Sequence, residues 1–270
     1  MKKLLTMIMA IVMVFTFAAC GTQTPKTADE TTGTAAASDL DYIKNKGTMT
    51  IGITEYEPMD FQDANGEWTG FDAEFATVVA EKLGVEPKFV VIDWDNKALE
   101  LDAKSIDCVW NGMTLTEEVK NSMECTKPYV DNAQVVVMAA DKIESYKDID
   151  SMKELKFAAE SGSAGEAAIK ENGLDSSYTA VATQSDALME VASGSADACV
   201  IDITMANAMT GEGTSYASLK SGLTLTSEKY VVGFRKGSDA AAKVDGIIDE
   251  LMSDGTLDKL AEKYQLNLAK

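Results

Sequence analysis

Along residues 48–264, short runs of β-branched and aromatic residues alternate with segments whose apolar positions recur at helical spacing. The first such helix is predicted over 71–83, where Phe71, Phe75, Val78, Val79 and Leu83 share one face and Gly84 closes the period. Strand-like runs at 49–54, 87–92 and 106–110 surround it, with a second helical segment at 94–103. The alternation resumes with strands at 133–138, 156–159, 178–181 and 198–201 and helices at 163–171 and 185–192. A last strand at 230–234 precedes helices at 239–253 and 256–264, the former striped by Val244, Ile247, Ile248 and Leu251. Strands separated by amphipathic helices predict parallel sheets covered by helices, an α/β fold.

Residues 101–112 and 191–202 align at a constant offset, pairing Ser105 with Ser195 and Asp107 with Asp197 ahead of a strand-like run. Gly112 and Asp202 then hold matching strand ends. Helix-to-strand connections favour Ser, Gly and Asp in any protein, which is one reading. The other is two similarly built lobes facing each other across a cleft, with strand ends contributing from both sides.

The N-terminus has a different character. Lys2 and Lys3 precede an apolar run over 4–19, a secretory signal too short and wrongly flanked to span a bilayer. Residues 20–39 are rich in Thr, Ala, Ser and Asp with no hydrophobic period, which predicts a flexible tether and a folded part from about Leu40. The formal charge of the whole chain is −20, and losing Lys2 and Lys3 with the signal makes it −22. Phosphate backbones would repel such a chain, so nucleic acid is excluded as the expected partner. Histidine is absent, which removes imidazole general-base catalysis and the commonest zinc ligand together. No metal or cofactor is expected. Cys108, Cys125 and Cys199 sit in or beside apolar runs and read as free thiols, with no C-x-x-C pair among them.

The stretch 106–129 carries the most chemistry. Its strand-like run ends in Asn111, Gly112, Thr114 and Thr116, small donors and acceptors just past a strand's C-terminal end, where open α/β sheets bind small molecules. Thr114 with Glu117 three residues on fits a capping box. The block Gly112-Met113-Thr114-Leu115-Thr116-Glu117-Glu118-Val119, followed by Pro128-Tyr129, resembles the G-x-T-x-T-x-E-R and P-Y motifs of the polar amino-acid branch of the bacterial extracellular solute-binding proteins that feed ABC importers. The resemblance runs from about Thr48 to Lys263 through Tyr56-x-Pro58, Gly66 to Asp72, Trp94, Asp197 to Asp202 and Asp254-Gly255-Thr256. Cys20 after two alanines is similar to the lipobox cysteine of bacterial lipoproteins; plain secretion is the alternative.

The resemblance implies a two-lobed, type II periplasmic-binding-protein-like fold, each lobe a mostly parallel sheet flanked by helices. It places a signal peptide at 1–19, lobe 1 at 40–133 plus 229–270 and lobe 2 at 134–228. A two-strand hinge would cross near 132–136 and 226–230. It implies Tyr56 and Trp94 as aromatic walls of the ligand site, with Glu55 nearby. Asp202 would be the carboxylate that accepts from a ligand α-ammonium, or the N-cap of the next segment, or both. The turn Ser161 to Gly165 follows a strand and opens a helix, so its free N–H groups form an anion site; the resemblance assigns it, through Ser163, to the ligand's α-carboxylate. The arginine that clamps that carboxylate in the family is Val119 here, and the chain's one arginine, Arg235, reads as part of a solvated strand edge. The ligand then either keeps a carboxylate held by Ser163, Thr114, backbone N–H groups and a lysine such as Lys97, or lacks one and is mainly cationic.

The expectation is therefore a monomeric, lipid-anchored protein on the extracellular face of the membrane. It would capture a small amine-bearing solute, an amino acid or related amine, for the membrane subunits of an ABC importer. The rivals are a lyase or dehydratase on the same scaffold and a binding protein for a cationic ligand that is not an amino acid.

Overall fold

The computed structural model describes residues 38–269. The segments expected to be a signal peptide and a tether, with Cys20 between them, lie outside the described residues up to residue 37. At the start of the described residues the Ser38 hydroxyl caps the first helix and donates to Asp239 at 2.6 Å.

Helix α1 (Asp39–Lys46) ends at Gly47, whose left-handed φ of 75° lets its N–H return to the last turn. Strand β1 (Thr48–Ile53), the small β2 (Phe61–Gln62) and β3 (Trp68–Thr69) pair, α2 (Phe71–Leu83) and β4 (Glu86–Val91) follow. A single 3-10 turn at Trp94–Asn96 runs into α3 (Lys97–Asp102), then come β5 (Cys108–Thr114), α4 (Glu117–Ser122), β6 (Met123–Cys125) and β7 (Val130–Asn132). The next elements are β8 (Gln134–Ala139), α5 (Ile149–Met152), β9 (Phe157–Glu160), α6 (Ala164–Glu171) and β10 (Tyr178–Val181). They continue through α7 (Gln184–Ala192), β11 (Ala198–Asp202), α8 (Ile203–Met209) and β12 (Leu219–Thr224), and the chain returns through β13 (Glu228–Arg235), α9 (Ala240–Ser253) and α10 (Thr256–Tyr264).

Two larger sheets result. The first has the order β4-β1-β5-β13-β6, with β7 also on β13; the second has the order β10-β9-β11-β8-β12. In each, three strands are parallel, as the alternating pattern predicts. The strands next to the passages between sheets, β8, β12 and β13, join antiparallel. A chain that switches sheets enters from the opposite end, and antiparallel pairing needs no helical crossover.

The repeated segments fold alike. Asp107 N donates to Thr50 O and its carboxylate accepts from Thr50 N, so it ties the start of β5 to β1. Asp197 does the same with Lys156 beside β9, its N donating to Lys156 O and its carboxylate accepting from Lys156 N at 3.0 Å. Ser105 and Ser195 each donate their N–H to a glutamate carbonyl five residues back in sequence, Glu100 and Glu190. The equivalence therefore extends from residue type to hydrogen-bond pattern.

Helix α2 buries Phe71, Phe75, Ala76, Val79 and Leu83 against the first sheet. Phe75 meets Trp110 edge-on at 4.8 Å between ring centroids, and Phe71 stacks on Tyr129. Burying each such ring contributes roughly 1.5–3 kcal/mol by transfer. The stripe on α9 is buried as its spacing predicts. Cys108 and Cys199 are buried and Cys125 is half-buried, all as free thiols.

Arg235 corrects the expectation of a solvated edge. It is 8% exposed, and its guanidinium pairs with Asp39 at 2.7 Å and with the fully buried Asp107 at 3.3 Å. It also donates to the carbonyls of Leu101 and Ile106. The strand-turn around it looked like a sheet edge, but α1 folds over that edge and supplies the countercharge.

Candidate functional site

The C-terminal ends of β5, β9 and β11, the first turns of α3, α4 and α6 and the start of β13 converge on one cavity of about 490 Å³. Trp94, Asn111, Gly112, Thr114, Val119, Ser163 and Asp202 all line it. Two expected members do not. Glu55 is exposed outside the cavity, and Tyr56 is buried behind it. The Tyr56 hydroxyl pairs with that of Tyr230 at 2.5 Å and with that of Thr204 on α8. Tyr56 thus supports the floor and joins the two sheets' territories rather than forming an open aromatic wall. Trp94, opening its 3-10 turn, supplies the aromatic surface.

Gly112 explains why Tyr56 lies so close. Its φ is +55°, and a Cβ there would stand 2.6 Å from the Tyr56 ring and 3.3 Å from Tyr230. Gly112→Ala is expected to cost about 2–4 kcal/mol from the left-handed backbone and the overpacking together. Urea denaturation showing a loss below about 1 kcal/mol would contradict this packing.

Several polar groups near β5 are already committed. Asn111 donates to Thr54 O at 2.9 Å and to Asp60 at 2.7 Å, while its oxygen accepts from Thr54 N and Oγ1. Gly112 N donates to Asp72 at 2.6 Å. Thr114 does not cap α4, because β5 continues through it in register with Tyr230 on β13, and its hydroxyl donates to Glu228 at 3.0 Å. Thr116 is the cap, its hydroxyl accepting from Val119 N at 3.1 Å.

Asp202 ends β11 and is 5% exposed. It stands at the N-cap position of α8 but makes no side-chain cap bond. Its carboxylate instead accepts from Asn132, from Gln134 at 2.8 Å and from Gln184. Gln134 also donates to Glu228 at 2.9 Å, so the amides of β7 and β8 bridge two carboxylates. Burial, then the negative charge of Glu228, pushes the Asp202 carboxyl up to about 7, while the amides pull it down.

Glu160, Gln184 and Glu228 are site residues that pattern reading missed. Glu160 ends β9 as Asp202 ends β11, and that equivalence of strand ends was the available signal. It is 3% exposed, lines the cavity, and its Oε1 has no hydrogen-bond partner among the described residues. Burial, then the charge of Asp202, pushes its carboxyl up to about 8, against the pull of Lys97 and Thr54.

Lys97 is the one basic residue on the cavity wall among the described residues. It lies 5.0 Å above the Trp94 ring and donates to Trp94 O at 3.2 Å and to Gly162 O at 2.9 Å, spanning from the first sheet's side to the second's. Burial lowers its pKa, opposed by Glu118, Glu160 and other nearby carboxylates. Ser163 caps α6 by accepting from Glu166 N at 3.1 Å, and Glu166 takes the Gly162 N–H at 2.9 Å. The helix start thus carries its own carboxylate, which competes with any incoming anion.

A family model described as bacterial extracellular solute-binding proteins, family 3, matches residues 49–267. The L-cystine-binding protein TcyJ of Escherichia coli (strain K12) is 30% identical over 232 residues, covering 83% of this chain and 85% of that protein. Among solved structures, the ancestral amino acid-binding protein AncCDT-1, a precursor of cyclohexadienyl dehydratase, superposes with a TM-score of 0.77 at 32% identity. The match covers 84% of this chain and 99% of that one. A mutant of ArgBP from T. maritima gives a TM-score of 0.77 at 31% identity, over 84% and 98% of the two chains. Both likenesses are to binding proteins of the two-lobed fold.

Proposed function

We propose, from the premise that this chain belongs to family 3 of the bacterial extracellular solute-binding proteins, that it captures an amine-bearing amino acid in the cavity between two lobes and delivers it to an ABC importer. The lobes are 40–133 with 229–270, and 134–228; the chain crosses between them at 133 and again between β12 and β13. The observation that carries the reading is Asp202, a buried carboxylate at a strand end on the cavity wall, oriented by three side-chain amides. Such a group needs a positive partner, since an uncompensated buried charge costs several kcal/mol. Relatives named for cystine and arginine support an amino acid as the ligand class. Trp94, Thr114 and Ser163 complete the site, with Val119 beside them, and Lys97 faces any carboxylate. Ligand contacts from both lobes favour the arrangement in which they approach. In this reading Cys20 carries a lipid anchor that holds a monomer at the extracellular face of the membrane.

A thermal-shift panel of amino acids and amines tests it. An amino acid at one hundred times its dissociation constant is expected to stabilise the protein by about 2.7 kcal/mol. A panel without any such hit contradicts the reading. Description of AncCDT-1 as a dehydratase precursor, and a buried carboxyl at Glu160, favour one other reading, a lyase or dehydratase. Binding without catalysis predicts that the hit is recovered unchanged in mass after prolonged incubation.

A further inference from the structure

We infer that Glu160 forms a second cation subsite in this cavity, so that the ligand carries a second positive centre, on its side chain, besides the ammonium held by Asp202. The inference rests on the cavity being the ligand site. Glu160 is almost fully buried on the cavity wall, and its Oε1 lacks any hydrogen-bond partner among the described residues. The nearby Lys97 does not neutralise it by contact: that ammonium donates to the carbonyls of Trp94 and Gly162 and forms no ion pair with Glu160 among the described residues. A buried carboxylate oxygen without a donor is costly, and a cationic nitrogen is the group that satisfies both its charge and its lone pair.

The rest of the wall has the same bias. Among the described residues, six carboxylates and a single ammonium line the cavity. The chain's one arginine is held by Asp39 and Asp107 beneath the first sheet, so no guanidinium reaches the ligand. At the start of α6, the place for an anion, the Gly162 N–H is occupied by Glu166. Complementarity therefore points to a ligand with net positive charge, a dibasic amino acid.

Titration calorimetry with matched pairs tests the subsite: L-arginine against L-citrulline, and L-lysine against L-norleucine, on the wild type and on Glu160→Gln. Each cationic member is expected to bind at least about tenfold more tightly than its neutral partner, as for a charge-assisted pair. Glu160→Gln is expected to bring the cationic member down to the level of the neutral one, and a circular dichroism spectrum matching that of the wild type shows that the variant is folded. Equal affinity within the pairs, or a cationic preference that survives Glu160→Gln, overturns the subsite. If the neutral and cationic members bind equally well and Asp202→Ala removes that binding, the proposed function stands while this inference fails. If no amino acid binds the wild type, both fail.

Discussion

Replacing Asp202 by alanine is expected to weaken binding of the amino acid found by the thermal-shift panel by more than about 2 kcal/mol, roughly thirtyfold in Kd. The carboxylate sits on the cavity wall at 5% exposure, and Asn132, Gln134 and Gln184 fix its orientation. Removing it takes away the partner of the ligand ammonium and the acceptor of the Gln184 amide, while Asn132 and Gln134 keep only Glu228. Calorimetry on a variant shown to be folded by denaturation checks this, and an unchanged Kd would remove Asp202 from the site.

The same residue predicts opposite pH trends for affinity and stability. Its carboxyl is pushed up to about 7, so below that value a cation must displace a proton, and affinity is expected to fall about tenfold per pH unit. The carboxyls of Asp202 and Asp72 titrate near 7 and that of Glu160 near 8 in the folded chain, against ordinary values of 3.8 for aspartate and 4.5 for glutamate. Between those limits the folded state holds more protons than the unfolded one. Stability is therefore present at low pH and lost as pH rises through the folded values, so the unfolding midpoint should rise from pH 8 to pH 5 while affinity falls. Flat affinity over that window would contradict an ammonium held by ionised Asp202.

Arg235→Met is expected to destabilise the fold by about 3–5 kcal/mol, the range for breaking a buried pair from one side. Asp107 is fully buried and keeps only Lys46 and the Thr50 N–H, while Asp39 loses its guanidinium at 2.7 Å. At roughly 2–4 °C per kcal/mol for a chain of this size, the midpoint should drop by on the order of 10 °C. Lys82→Met, which breaks an exposed pair with Glu250, serves as the control and is expected to change little. A loss for Arg235→Met no larger than the control would return Arg235 to the solvated edge.

Much of the fold was legible because its elements obey simple periods. Helix α2 and helix α9 run over the residues their apolar spacing marks, since each shows one face to the core and the other to water. The equivalence of Asp107 and Asp197 was legible because the same local task, pinning a neighbouring parallel strand, needs the same short carboxylate. What escaped depends on partners far along the chain. Arg235 looked solvated until α1, almost two hundred residues earlier, supplied Asp39. Tyr56 looked like a wall because it follows a strand end, yet the missing side chain of Gly112 lets its ring pack behind the floor. Thr116 rather than Thr114 caps α4 because pairing with β13 extends β5 by a turn's worth of residues beyond its apolar run. Glu160 carried a signal, a carboxylate at a strand end equivalent to that of Asp202, but its burial and missing partner belong to the folded cavity alone.

The central claim is that an amino acid is held between the two lobes by Asp202. A crystal structure of the protein grown with the amino acid from the thermal-shift panel tests it most directly. The account predicts that molecule inside the cavity bounded by Trp94, Thr114 and Ser163, with its ammonium in hydrogen-bond contact with Asp202. An amino acid bound elsewhere, or one that presents its carboxylate to Asp202, would contradict it.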